Sequence, residues 1–235
     1  MATEKPITLI TGGNTGIGYE TVKYLYASPT AHTILLGSRS LPKAHSAIQT
    51  IHSTVPSSSE IIPIQLDIED DASIDACYTT IASKFGKLDT LVNNAGGMFD
   101  RVMQTKPGAA GIREAWNHTY SLNVTSTEVL THTLAPLLIK SASPRLLFIT
   151  SGLSSLATTS SGQLPAMAAR PPPIPAGWPK QGPPSAVAYR SSKAALNMQM
   201  LEWKRVLEAD GVKVVEGVRD ADAGLVVRRD GVQPW

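Results

Sequence analysis

Short apolar runs and helical periods take turns along this chain of 235 residues. The stretch ITLIT (7–11) is continuously apolar or β-branched, as a buried strand requires, and residues 17–27 then follow a helix-like pattern. TILLGS (33–38) predicts a second strand, after which Leu41, Ala44, Ala47, Ile48 and Ile51 recur at helical steps along one face. IIPIQL (61–66) predicts a third strand, weakened at Pro63 because proline cannot donate to a ladder. Ile74, Cys77, Ile81 and Phe85 form the next helical stripe, with Asp70 or Asp71 placed to cap it. LDTLVNN (88–94) and RLLFITS (145–151) are two further buried strands. A long helix is predicted between them, from about Ile112 to Lys140 and bent near Pro136. VKVVEGV (212–218) predicts a sixth strand. Apolar strands alternating with amphipathic helices specify a parallel sheet covered on both faces. The expected fold class is therefore α/β, a single domain (1–235) with a doubly wound parallel sheet. Its ligand crevice lies beyond the carboxyl ends of the strands.

Two segments break this rhythm. Residues 161–185 are proline-rich: eight prolines fall between Leu164 and Pro184, which excludes helix and inner strand and predicts an extended loop. Residues 219–235 carry little helical or strand pattern and read as an irregular tail.

Composition narrows the class of function. A hydrophobic content of 42% with 17% charged residues describes a globular protein. The net charge of +2, without a dense Lys/Arg run, argues against a nucleic-acid partner. A single cysteine, Cys77, excludes an internal disulfide and suits a reducing compartment. No apolar run is long enough to span a membrane, and the N-terminus passes straight into a strand, leaving no room for a signal peptide. The expected location is the cytoplasm. The N-x-T matches at Asn117 and Asn123 then have no route to glycosylation.

The residues that carry chemistry gather at the predicted strand ends. The first strand runs into TGGNTGIG (11–18), with glycines spaced G-x-x-x-G-x-G. Such a turn lets backbone approach a phosphate at a helix N-terminus, and the same pattern also serves as a plain tight turn. No Lys-Ser/Thr pair follows, which excludes a Walker phosphate loop. The second strand ends in Ser38 and Arg39, where an acidic residue would accept ribose hydroxyls and repel a 2′-phosphate. An arginine there favours NADP over NAD, the other reading being a solvated cation. Asp67 is placed either to face an adenine or to begin a helix cap. NNAG (93–96) follows the fourth strand, Asn123 lies in the long helix, Ser151 ends the fifth strand and YRSSK (189–193) follows the proline-rich loop. Tyr189 and Lys193 stand one helical turn apart, about 6 Å along the axis. His118 and His132 have no metal-ligand spacing and are read as structural, so no metal site is expected.

Together these motifs resemble the short-chain dehydrogenase/reductase family, in order and spacing, from residue 7 to about 215. The resemblance implies a Rossmann fold, an oxidoreductase activity and a catalytic tetrad of Asn123, Ser151, Tyr189 and Lys193. It implies cofactor contacts from Gly12, Asn14, Thr15, Gly16, Ile17 and Gly18 in the turn and from Ser38, Arg39, Asp67 and Ile68. Further contacts are implied from Asn94, Ala95 and Gly96, and from Tyr189 and Lys193. In that scheme Tyr189 gives the proton to a substrate carbonyl as hydride arrives from the nicotinamide. Lys193 holds the nicotinamide ribose and favours the charged phenol, Ser151 bonds the carbonyl oxygen, and the Asn123 region holds a relay water. A free phenol titrates near 10, so it needs such a cationic neighbour to work at neutral pH.

The chain departs from the family in two places. Tyr189 follows Ser151 by 38 positions, the excess being the proline-rich loop. Similar insertions in monomeric carbonyl reductases point to a monomer, with a homodimer left as the other expected state. In one reading Met167, Ile174 or Trp178 walls a bulky substrate; in the other the loop is a surface feature only. The tail lacks the family's Pro-Gly turn, which predicts six strands with the usual seventh missing. The leading expectation is an NADPH-dependent carbonyl reductase or alcohol dehydrogenase acting on a small or medium substrate. The alternative is a shortened, non-catalytic NADP-binding relative.

Overall fold

The computed structural model describes residues 5–162, 174–178, 180, 186–215, 227–228 and 231–232. Its apolar runs become six parallel strands: β1 (Ile7–Thr11), β2 (Thr33–Ser38), β3 (Glu60–Gln65), β4 (Thr90–Asn93), β5 (Arg145–Phe148) and β6 (Lys213–Val215). They lie in the order β3-β2-β1-β4-β5-β6. The order reverses between β1 and β4, which places the ligand crevice at their carboxyl ends. β3 is an edge strand with a single neighbour, a position that tolerates Pro63.

Alternation along the strands explains why each run is apolar throughout. Leu9, Leu35, Leu91 and Leu146 face one core; Ile10, Ile34, Leu36 and Val92 face the other. The first core is closed by α3 (Asp71–Phe85), α6 (Ser126–Leu138) and α8 (Val187–Val206), and the second by α1 (Gly16–Tyr26) and α2 (Leu41–His52). Truncating a fully buried leucine such as Leu35 to alanine would cost about 2–5 kcal/mol. Asp70 caps α3 by accepting the Ala72 N–H at 3.1 Å. Cys77 lies in the first core, where burial pushes its thiol up to about 12.

The predicted long helix is continuous but not uniform. Past the short α4 (Val102–Thr105), α5 (Ala109–Tyr120) opens into a wide π turn over Ser121–Thr125 before α6 resumes. The irregularity therefore centres on Asn123, and such turns are frequent at functional sites. A short α7 (Leu156–Ser160), unmarked by sequence periodicity, follows β5. Most of the proline-rich segment, including Met167, lies outside the described residues, while Ile174 and Trp178 are exposed. Residues 216–218 of the predicted sixth strand also lie outside them. In the tail, β7 (Val227–Arg228) pairs antiparallel with β8 (Gly231–Val232), apart from the main sheet. Among the described residues no helix is long and apolar enough to cross a membrane.

Candidate active site

The glycine turn is shaped by backbone. Gly12 (φ +64°) and Gly16 (φ +58°) sit in the left-handed region, which other residues enter at a cost. A Cβ on Gly18 would stand 2.5 Å from both the Gly12 carbonyl oxygen and the Asn94 amide, so α1 can pack this tightly on the strand ends only with glycine there. Thr15, at the N-cap of α1, makes no side-chain cap, and no acidic residue fills the first turn. The helix N-terminus thus presents its N–H groups to the crevice, an arrangement suited to a phosphate.

Polar side chains join the ends of β1 and β4. The Thr11 hydroxyl accepts the N–H groups of Asn94 (2.9 Å) and Ala95 (2.8 Å), and the Asn94 amide donates to the Thr11 carbonyl at 2.7 Å. Beyond them Asn123, 1% exposed, brackets Gly97: its Oδ1 accepts the Gly97 N–H and its Nδ2 donates to the Gly97 carbonyl, both at 2.8 Å. The same Nδ2 donates to the Ser192 hydroxyl at 2.9 Å. Asn123 is therefore a structural bracket whose side chain is fully engaged within the protein.

α8 brings Tyr189 and Lys193 to the cavity. Tyr189 and Lys193 lie one turn apart as their spacing requires. Lys193 is 5% exposed, donates to the Ile149 carbonyl at 2.7 Å and stands 5.9 Å from the centre of the Tyr189 ring. Ser151 begins a tight turn at the end of β5: its Oγ accepts the Leu153 N–H at 3.2 Å, which leaves the hydroxyl proton available for donation. α8 also grips that turn. Asn197 donates to the Ser154 hydroxyl (2.9 Å), Ser154 to the Ser151 carbonyl (2.6 Å) and Arg190 to the Leu153 carbonyl (3.2 Å).

These elements line an open cavity of about 720 Å³, within the usual range of small-ligand sites. Of the residues singled out in the sequence, Gly12, Asn14, Thr15, Gly16, Ile17, Ser38, Arg39, Asp67, Ile68, Asn94, Ala95, Gly96, Ser151, Tyr189 and Lys193 all line it. Gly18 and Asn123 stand behind the wall, as packing and bracket. Asp67 faces the cavity while Asp70 takes the capping role. Sequence reasoning missed Lys43, which lines the cavity from the first turn of α2; its position four residues after Arg39 was the available signal. It also missed Thr11, Asp100 and Ser192, whose partners lie far along the chain. His118 stacks on Phe99 with ring centres 3.6 Å apart, and among the described residues no cluster of three metal-ligating side chains occurs.

A nicotinamide dinucleotide fits this lining. The glycine turn and uncapped helix suit its diphosphate, and Arg39 and Lys43 supply cations beside β2. Thr150 lines the cavity next to Ser151, while its hydroxyl is buried and has no hydrogen-bond partner among the described residues.

Comparison with known proteins agrees with this geometry. Residues 6–162 match the family model described as short chain dehydrogenase. The chain is 39% identical over 275 aligned positions to the short-chain dehydrogenase/reductase tropE of Talaromyces stipitatus, with all of both chains covered. It is 46% identical over 214 residues to eupG of a Phoma species, covering 89% of this chain and 74% of that one. Among solved structures, the NADPH-bound carbonyl reductase from chicken fatty liver superposes with a TM-score of 0.75 at 19% identity, covering 99% and 100% of the two chains. The RhlG/NADP complex of Pseudomonas aeruginosa gives a TM-score of 0.66 at 24% identity, covering 91% of this chain and 72% of that one. At those identities the two structures speak for the fold. With the family model spanning most of the chain, this protein belongs to the short-chain dehydrogenase family of oxidoreductases.

Proposed function

We propose that the protein is an NADPH-dependent carbonyl reductase, or in reverse an alcohol dehydrogenase, acting on a small or medium substrate. The observation that carries this reading is the meeting of Ser151, Tyr189 and Lys193 in one cavity with the glycine turn. The nicotinamide, when bound, supplies or takes the hydride. Tyr189 delivers the proton to the substrate oxygen as a general acid, a role worth about 10²–10⁴ in rate. Ser151 donates a hydrogen bond to that oxygen, its own acceptor side being held by the Leu153 N–H. Lys193 places a fixed positive charge beneath the phenol and holds the nicotinamide ribose. The Ile149 carbonyl anchors it there. Arg39 and Lys43 would receive a 2′-phosphate, the basis for preferring NADPH to NADH.

Replacing Tyr189 with phenylalanine removes the acid and keeps the ring. Turnover with NADPH on a panel of ketones, aldehydes and quinones should fall at least about 100-fold. NADPH affinity, measured by cofactor fluorescence, should stay within about twofold of wild type, because removing the hydroxyl leaves the turn and both cations in place. Retained turnover removes Tyr189 from the mechanism. NADPH binding by the wild type without turnover on any of the panel returns the chain to a nucleotide-binding role alone.

A further inference from the structure

The loop after β4 reaches the catalytic helix through a carboxylate outside the tetrad. Asp100 is 2% exposed, and both of its oxygens are occupied. Oδ1 accepts the Ala188 N–H at 2.9 Å and Oδ2 accepts the Tyr189 N–H at 3.1 Å. Those are the second and third residues of α8, the positions served in most helices by an N-cap side chain. α8 has no cap of its own: Ala186 holds the N-cap position with no acceptor side chain, and at φ +41° it sits in the left-handed region. Asp100, 88 positions before Ala188, supplies what Ala186 lacks.

The same residue is held from its other side. The Tyr189 carbonyl accepts the Ser192 hydroxyl at 2.7 Å, and Ser192 in turn accepts from Asn123, which brackets Gly97. Gly97 and Asp100 belong to one loop, and the Asn94–Met98 part of it lines the cavity. Two buried paths therefore run from the cavity loop to the N–H and the C=O of the residue that carries the phenol. A carboxylate suits its path, because the exposed N–H groups at a helix start favour negative charge and charge-assisted bonds are the stronger kind.

We infer that Asp100 is a positioning residue for the proposed reaction. It fixes the start of α8, and with it the Tyr189 phenol, against the cavity loop and Ser151. Its effect on turnover rests on the reading of Tyr189 given above, whereas its hold on the helix start does not.

The full chain tests both with Asp100→Asn, which keeps one acceptor oxygen, and Asp100→Ala, which keeps none. Four quantities are read: amide hydrogen exchange at residues 187–193, NADPH affinity by fluorescence, and kcat and KM with the best substrate of the panel. Exchange at Ala188 and Tyr189 should quicken in Asp100→Asn and further in Asp100→Ala. The kcat should fall about 10-fold and about 100-fold respectively, the scale on which misplaced groups lose rate. NADPH affinity should stay within about twofold and KM within about threefold, since the loss falls on alignment. A kcat within twofold of wild type in Asp100→Asn, with exchange quickened, overturns the positioning role. A fall in NADPH affinity parallel to the fall in kcat overturns it as well. If Asp100→Ala does not fold, Asp100→Asn decides by the same readings. If the wild type turns over nothing, the proposed activity fails by itself, and unchanged exchange in Asp100→Asn overturns the hold on the helix separately.

Discussion

The two ends of the sheet use the same device for different purposes. At the amino ends, Asp89 stands just ahead of β4 and is 9% exposed. Its carboxylate accepts the Ile7 N–H at 2.9 Å and the Ser141 hydroxyl, and it pairs with Lys87 at 3.2 Å. Its backbone bonds to Ile7 and Arg145, so one residue stitches the starts of β1, β4 and β5. At the carboxyl ends Thr11, Asn94, Asn123, Ser192 and Asp100 also bridge distant segments, but around the cavity lined by Ser151, Tyr189 and Lys193. Bonds at the first end close on the protein itself. Those at the second hold the loop and the helix that line the cavity, and with them the groups proposed to react. Disturbing the amino ends should therefore cost stability alone, and disturbing the carboxyl ends should cost rate as well.

The largest expected effect comes from Asn123→Ala. It strips partners from the Gly97 N–H, the Gly97 carbonyl and the Ser192 hydroxyl at once. A buried group left unpaired costs about 1–3 kcal/mol; Ser192 is buried and Gly97 half-buried, so stability should fall by about 2–3 kcal/mol, read from urea unfolding. Because the cavity loop and Tyr189 both hang on this bracket, kcat should fall about 100-fold in the fraction that remains folded. A variant that loses stability with unchanged kcat would erase the contrast between the two ends.

Asp89→Asn probes the other end. Stability should fall by about 2 kcal/mol, with kcat and KM within twofold of wild type. The pH dependence has a definite sign. Burial pushes the Asp89 carboxyl up, but the Ser141 hydroxyl, the Ile7 N–H and Lys87 together outweigh it and hold it below the ordinary carboxylate range. A carboxyl depressed in the folded state stabilises above its unfolded value of about 3.9 and loses that contribution as pH falls through the folded value. The difference between wild type and Asp89→Asn in unfolding free energy should hold steady near neutrality and shrink below about pH 4.

The same contrast explains what the sequence made legible. The strands, the glycine turn, the Asp70 cap and the Tyr189–Lys193 spacing are local signals, carried by residues a few positions apart. Asp100 and Ser192 are not local: each has a partner 69 to 89 positions away, and neither residue type marks itself. The π turn around Asn123 answers to Gly97 and Ser192, so helical periodicity passed over it. Gly18 shows a subtler limit. The family resemblance implies it as a cofactor contact, and its close approach to Gly12 and Asn94, which leaves no room for a Cβ, shows in the structure alone. Lys43, four residues after Arg39 and in the first turn of α2, escaped because α2 was read for its apolar face.

Arg39 and Lys43 sharpen the comparison from the cofactor side. Arg39→Ala should weaken NADPH binding about 10-fold and leave NADH within about twofold, as expected for one exposed charge-assisted pair with a phosphate. Lys43→Ala should weaken NADPH about threefold. Titrations with both cofactors check this, and equal losses for NADPH and NADH would remove the 2′-phosphate from the argument. Thermal stability should not move, since both side chains reach outward from element ends.

The smallest effect belongs to Gly86, which ends α3 on the amino side of the sheet. Its φ of +71° is left-handed, and its N–H bonds back to the Ile81 and Ala82 carbonyls to close the helix. A Cβ there meets nothing within 4 Å, so the cost of substitution is conformational, with no steric part. Gly86→Ala should destabilise by about 1 kcal/mol and lower Tm by about 2–4 °C. Gly86→Asn should lose about half as much, because asparagine enters the left-handed region more readily. NADPH affinity and kcat should be unchanged in both. A loss of rate in Gly86→Ala, at a position that only ends a helix at the far side of the sheet, would mean that strain at the amino ends reaches Tyr189 through the core and that the two ends are not separable.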